Sequence, residues 1–349
     1  MCKHTRQGST MSNKRKIAFI AVGIGCSVLF MYLTFKKIPL DDFYRELQRV
    51  DLWLLSLSLI TGMLGFLCMA YRSVVLLRSL ADYRYYPVLK SVFVGFIGNA
   101  LIPFRVGELM RVDYLARRCD VSLPHSSTLA VIVTERVFDL LVLMLMCFAV
   151  LPLTVIGLPT SQSFYILLAA TVSIFAGALL CSLYPERVLQ IVRWVVGGFG
   201  DKLSAFIMDK VEAFVHGVSA LSSVRSLVMV FLSSCMYWLT GIASIHICLW
   251  AFGLSLPWYA SVLVLLFLSL GTALPSTSAY IGTYHYFFAT ALTLLHVNKA
   301  TAASVSVVGH AVGLIPFVLL GTVLLFDDFA SGRLLTLQPE AQEKQQDEE

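Results

Sequence analysis

The sequence predicts an all-α polytopic membrane protein with about six full spans and two shorter, re-entrant broken-helix elements. Three observations point there. The 349 residues are 58% hydrophobic and only 13% charged, with a mean hydropathy of +0.80, whereas a soluble domain is about a quarter charged. Several apolar runs reach the roughly 17 to 25 residues that a helix needs to cross a bilayer. These runs are continuously apolar rather than alternating, which excludes a transmembrane barrel. The net charge of +5 is spread over the loops, so it reads as membrane orientation and not as nucleic-acid binding. None of the eight cysteines forms a CxxC pair and most lie inside apolar runs; they read as packed small hydrophobes, with no metal and no cofactor.

Residues 1–16 form a basic cytoplasmic tail, followed by a transmembrane domain over residues 17–326. The first span is Ile17–Phe35, retained as a helix because no small-residue cleavage site follows it. "IPLDDFYRELQRV" is mixed-polar and reads as a short interfacial helix. The second span is Leu52–Ala70. Arg72, Arg78, Arg84 and Lys90 follow it and place that end on the cytoplasmic side, with the N-terminal tail. Ser91–Pro103 is too short to cross, and arginines at 105, 111, 117 and 118 belong on the same side as those before it. It therefore enters from the cytoplasm and turns back. His125–Leu151 and Ser163–Leu183 are the next spans. Residues 185–225 form a basic, amphipathic cytoplasmic segment. Leu227–Trp250 crosses outward, Ser261–Pro275 repeats the short broken pattern from the outer side, and Thr301–Phe326 returns inward. Residues 327–349 read as an acidic, disordered cytoplasmic tail. Trp53, Trp194, Trp238, Trp250 and Trp258 fall near span ends, as in an interfacial aromatic belt.

The two breaks read G-N-A-L-I-P and G-T-A-L-P, each followed by a later glycine, Gly107 and Gly282. Short broken segments at corresponding places in two halves point to an inverted repeat around a midplane site. The likeness covers few residues and leaves open either an inverted repeat or chance.

"GNALIPFRVGELMRVDYLARR", followed by "VIVTERVFDLLVL", resembles the membrane region of lysylphosphatidylglycerol synthases, a family of flippase-like integral membrane proteins. The family pattern falls on Asn99, Pro103, Arg105, Gly107, Glu108 and Arg111, then on Glu135, Arg136 and Asp139. The second break keeps Pro275 and Gly282 of its pattern, but His285 stands where the family carries a glutamate; a histidine there is a candidate titrating group near neutral pH. Lysylphosphatidylglycerol synthases carry a large soluble transferase domain after the membrane region. Only some twenty residues follow the last apolar run here, so the resemblance implies lipid translocation and no aminoacyl transfer. It also implies the inner, cytoplasmic membrane as the location.

Arginine deep in a bilayer costs about 2.5 to 3.5 kcal/mol on insertion scales, so it pairs or lines a polar cavity. Glu135 lies about eleven residues into its span, roughly 16 Å deep. Guanidinium groups match phosphate oxygens in bidentate fashion. Arg105, Arg111 and Arg136 are therefore candidates for a lipid phosphate, with Glu108, Glu135 and Asp139 as ion-pair partners or proton carriers. Arg136 is placed to reach a carboxylate on a neighbouring helix, such as Glu108. Gly98, Asn99, Pro103, Gly107, Pro275 and Gly282 shape the breaks. The rival reading is an internal salt-bridge network that only fixes helix packing. His246 and His310 read as packed core residues, and Arg117 as an interfacial anchor. Three functions follow in order of preference: a transporter of a phosphate-bearing lipid (phospholipid or polyprenyl-linked), a non-catalytic partner of a separately encoded lipid-modifying enzyme, and a membrane transferase. An enzyme is not expected.

Overall fold

The computed structural model describes residues 13–36, 38–78, 80–102, 106–118, 123–150, 184–197, 223–274 and 277–330, with scattered positions between 169 and 215. Every regular element among them is helical. Three described helices are long and apolar enough to cross a membrane: Leu52–Leu77, Arg225–Ala251 and Lys299–Leu324. A fourth is added if Gly23–Phe35 and Leu40–Gln48, bent by 82° at their junction, count as one span. The six spans expected from sequence are therefore met in part. His125–Val150 has the length, 26 residues, but carries Glu135, Arg136 and Asp139. Most of 163–183 lies outside the described residues, as does 331–349.

Helix α1 (Asn13–Phe35) leads through Pro39 into α2 (Leu40–Gln48), which has no buried residue and carries Asp41 and Asp42 in its first turn. Helix α3 (Leu52–Leu77) starts at Asp51, whose carboxylate accepts the N–H groups of Trp53 and Leu54 at 2.8 and 3.1 Å, filling donors the first turn leaves open. Helices α4 (Tyr85–Leu101), α5 (Val106–Arg118), α6 (His125–Val150) and α7 (Pro185–Val196) follow. Helix α8 (Val224–Ala251) is capped by Ser223. Then come α9 (Tyr259–Ala273), a 3₁₀ turn at Ser278–Tyr280, α10 (Thr283–Leu294), α11 (Lys299–Leu324) and α12 (Phe326–Ala330).

The frame is the antiparallel pair α3 and α8. The Asp51 N–H donates to the Ala251 carbonyl at 2.9 Å. Ser58 and Ser244 each donate to the other's carbonyl, at 2.7 and 2.8 Å. Arg72, near the far end of α3, reaches Ser234 near the far end of α8. Small residues at such a seam let two apolar helices approach closely, the favoured packing where lipid removes any hydrophobic drive.

Two helical hairpins hang on this pair from opposite ends. Helix α4 leaves from the Leu77 end and packs back along α3 through Phe66, Phe93 and Phe96, with ring centroids 4.9 to 5.3 Å apart. Helix α5 folds against it, with Arg111 beside Gly95 and Gly107 beside Asn99. A Cβ on Gly107 would overlap the Gly95 carbonyl oxygen, so the two backbones touch only because this residue has no side chain. Asn99 Oδ1 accepts the Gly107 N–H at 2.9 Å. Helix α9 leaves from the Ala251 end of α8 and packs back along it, His246 bonding Ser261 at 2.8 Å. Helix α10 then folds against α9, with Phe287 beside Gly271.

The second break is tightly wound. Ala279 and Tyr280 have φ of 56° and 59°, and Gly282 has φ of 91°. A Cβ on Gly282 would overlap the carbonyl oxygen of Ser27, and the Ser27 hydroxyl accepts the Thr277 N–H at 3.0 Å, so α1 clamps this turn. The short helix α12 carries the ordered fold past the boundary expected at 326. Asp328 is 7% exposed and pairs with Lys90 on α4 at 3.2 Å and with the Tyr114 hydroxyl on α5 at 3.2 Å.

Candidate functional site

The tips of the two hairpins meet. Ser278 Oγ donates to the Leu101 carbonyl at 3.0 Å, one of the acceptors a helix C-terminus leaves open. Beneath this contact lies a cavity of about 310 Å³ lined by α3, α4, α5, α6, α8, α9, α10, α11 and the second break. Its polar lining includes Asn99, Glu108, Arg111, Arg136, Tyr237, Trp238, Tyr280 and His310.

Six ionisable side chains stand at and behind its wall in two tiers. The inner tier is dry. Glu135 is 0% exposed and takes both terminal nitrogens of Arg111, at 2.8 and 3.1 Å, together with the Ser73 hydroxyl and Arg72 at 3.6 Å. Asp139 takes Arg72 through both oxygens at 2.6 and 3.3 Å and the Trp238 indole N–H at 3.1 Å. Arg72 also donates to Ser234 at 3.0 Å. Both carboxylates are thus filled on each oxygen, the condition under which buried charge is tolerated. The outer tier is Arg136 and Glu108, 38% and 30% exposed in their side chains and 3.2 Å apart. Arg136 also reaches Asp139 at 3.1 Å. Glu108 Oε2 and Arg136 Nε, like Arg72 Nε and Arg111 Nε in the inner tier, are buried and have no hydrogen-bond partner among the described residues.

The sequence-predicted residues are therefore split. Glu108, Arg111, Glu135, Arg136 and Asp139 come together, and Gly98, Asn99 and Gly107 form the α4–α5 contact beside them. Arg105, Pro103 and Pro275 lie outside the described residues. Arg111, expected to face a phosphate, has both terminal nitrogens committed to Glu135 and Ser73 and is 1% exposed. His285 is turned away from the cavity: it is 5% exposed, contacts the Ser306 carbonyl at 3.4 Å and lies edge-on to His310, 4.8 Å between rings.

Sequence reasoning missed four participants. Arg72 was counted as a cytoplasmic loop charge, but α3 runs seven residues past Ala70 and buries it completely. The signal was present: Ser73 and then "VVLL" at 74–77 follow Arg72, which no cytoplasmic loop needs. Trp238, placed in an aromatic belt, instead holds Asp139; Trp53 and Trp194, at 86% and 83% exposed, stand outward as expected. His310, read as plain core, lines the cavity and bonds the Ala279 carbonyl at 2.9 Å, stacked on Tyr284. Ser73 has no distinguishing sequence mark.

Among the described residues the site sets three arginines against three carboxylates, with the Arg136–Glu108 pair facing an open space inside an apolar shell. Residues 19–321 match the family model described as "Lysylphosphatidylglycerol synthase TM region". No curated protein matches the chain.

Proposed function

We propose, starting from the fact that the chain belongs to the lysylphosphatidylglycerol synthase TM-region family, that it binds a phosphate-bearing lipid in the central cavity and moves it between the leaflets of the cytoplasmic membrane. The observation that carries this reading is the Arg136–Glu108 pair on the wall of a cavity walled by apolar helices. Phosphate oxygens compete with Glu108 for the Arg136 guanidinium, because both are planar-fork partners of arginine. Binding is then an exchange of one oxyanion for another. Glu108, released, takes a proton or a hydrogen bond from the headgroup through its already unpartnered oxygen. Arg72, Arg111, Glu135 and Asp139 act as the scaffold that fixes α6 against α3 and α5.

Alternation between the two sides is supported by the hairpins, which start from opposite ends of the α3–α8 pair and meet at the cavity. That is the arrangement in which inverted, broken elements frame a midplane site. Each hairpin is re-entrant in this reading: α4, with 17 residues, spans about 25 Å at 1.5 Å per residue, short of a hydrocarbon core of about 30 Å. In this reading the basic N-terminal tail lies in the cytoplasm, and the order of the spans returns the acidic C-terminal tail to the same side.

Reconstitution into liposomes with a chain-labelled anionic phospholipid tests the reading. The intact protein should exchange label between leaflets, and Arg136→Gln should slow this by roughly ten- to a hundredfold, the worth of one hydrogen bond to a charged group. Wild-type protein that moves no lipid, or a variant as fast as wild type, ends the proposal. Modification of lipid on addition of an activated donor would shift the reading to an enzyme.

A further inference from the structure

Beside the polar cavity lies a second hollow of about 270 Å³, walled by α3, α8, α9, α10 and α11. Glycines make the space: Gly62 and Gly65 on α3, Gly241 on α8, Gly309 and Gly313 on α11. Among the described residues no charged side chain lines it. Its serine and threonine hydroxyls are already used, since Ser58 and Ser244 bond each other's carbonyls and Thr240 donates to the Tyr237 carbonyl. The two hollows share a wall that includes Phe96, Tyr237, Trp238, Tyr284 and Gly313.

We infer that this hollow receives one hydrocarbon chain of the lipid whose headgroup sits in the polar cavity. The inference rests on the proposed function only for the headgroup. Three features select the occupant. A charged or strongly polar ligand would find no charged side chain among the described lining residues and no free serine or threonine hydroxyl there, and would lose its hydrogen bonds to water. A protein segment does not fit, because a helix with side chains is about 10 to 12 Å across. The two spaces adjoin along one mostly aromatic wall with no charged side chain among the residues common to both, so an amphiphile with its charged end at Arg136 has its chain directed at the glycines across an uncharged boundary. Aromatic rings suit such a boundary, since Tyr and Trp have an apolar body and a polar edge. One such chamber beside the Arg136–Glu108 pair provides for one chain of the lipid.

The chamber can be filled without disturbing its frame. A Cβ on Gly313 meets no heavy atom within 4 Å, and one on Gly241 meets only Leu265 Cδ1, at 3.4 Å. The full chain is reconstituted in phosphatidylcholine vesicles containing phosphatidylglycerol with a diazirine at the end of one acyl chain, irradiated, and mapped by peptide mass spectrometry. Adducts are expected on chamber residues such as Phe66, Ile245 and Val312. They should fall about tenfold in Gly313→Leu, the effect of mismatching an apolar pocket by a methylene or more. Gly241→Val serves as the second variant should Gly313→Leu fail to accumulate. Adducts confined to the outward-facing Leu57, Leu64 and Leu239, or chamber adducts undiminished in a folded variant, overturn the inference. Arg136→Gln separates the two readings: chamber adducts at wild-type level with undiminished lipid movement remove the headgroup assignment and leave the chamber standing.

Discussion

Among single residues, the two tiers of the charge network should respond differently to substitution. Glu135 answers Arg111 and Arg72 in a fully buried setting. Glu135→Ala leaves two guanidinium groups short of a partner, and removing one member of a buried pair costs about 3 to 5 kcal/mol. Thermal unfolding in detergent should show a large loss of stability, and a variant as stable as wild type would refute the scaffold role. Glu108→Gln keeps a planar acceptor beside Arg136 and should change stability little, within about 1 kcal/mol, while abolishing any dependence of lipid movement on an imposed proton gradient. A gradient response that survives in Glu108→Gln rules out Glu108 as the proton carrier. Which residues face each other was partly legible in the sequence. Carboxylates four apart on an apolar helix announce a buried site, and the step from Arg136 to Glu108 followed from helix geometry. Arg72 was not legible by the same means, because a basic residue near the end of a span satisfies the positive-inside pattern whether it is in water or turned inward.

For elements, the glycines carry the tightest constraints. Gly107→Ala places a methyl group against the backbone of α4, which cannot yield as a flexible side chain would. The α4–α5 hairpin should open, with a loss above the roughly 1 to 3 kcal/mol typical of overpacking, read as poor accumulation and protease sensitivity between 102 and 106. Gly282→Ala adds a left-handed backbone penalty to its clash with Ser27 and should lower the melting temperature, by an amount corresponding to about 1 to 3 kcal/mol. Among the described residues, helices were legible where uninterrupted apolar runs predicted them, since such runs have few alternatives in lipid, but not at Phe326–Ala330, which runs into the tail expected to be disordered. Helix ends were not. The expected short element Ser91–Pro103 became Tyr85–Leu101, because Tyr85 and Tyr86 extend the helix toward the surface, and amphipathic tyrosines suit an interface. The α2 helix was legible because its alternation of acidic and apolar residues is confined to a short stretch after a proline.

For the whole molecule, the meeting of the two hairpins is the relation that sequence could suggest but not establish: two five- and six-residue likenesses carry no distance. It is directly measurable. In a background with the eight native cysteines replaced, Leu101→Cys and Ser278→Cys should be joined by a short thiol cross-linker, as Ser278 contacts the Leu101 carbonyl. The joined protein should stop moving lipid if the hairpins separate during transport. Absence of cross-linking would place the breaks apart and dissolve the shared cavity. The balance of three arginines against three carboxylates has an electrical consequence. A protein with an excess of positive charge at mid-depth would trap an anion there. If the chain moves lipid as proposed, the balance among the described charges leaves the cargo to carry its own charge through the field of the membrane. Each elementary charge moved across 100 mV corresponds to about 2.3 kcal/mol, and a proton taken by Glu108 on the same journey would cancel it. In the proposed transport, the charge balance at the site would set whether the membrane voltage acts as a motor, a brake or a bystander.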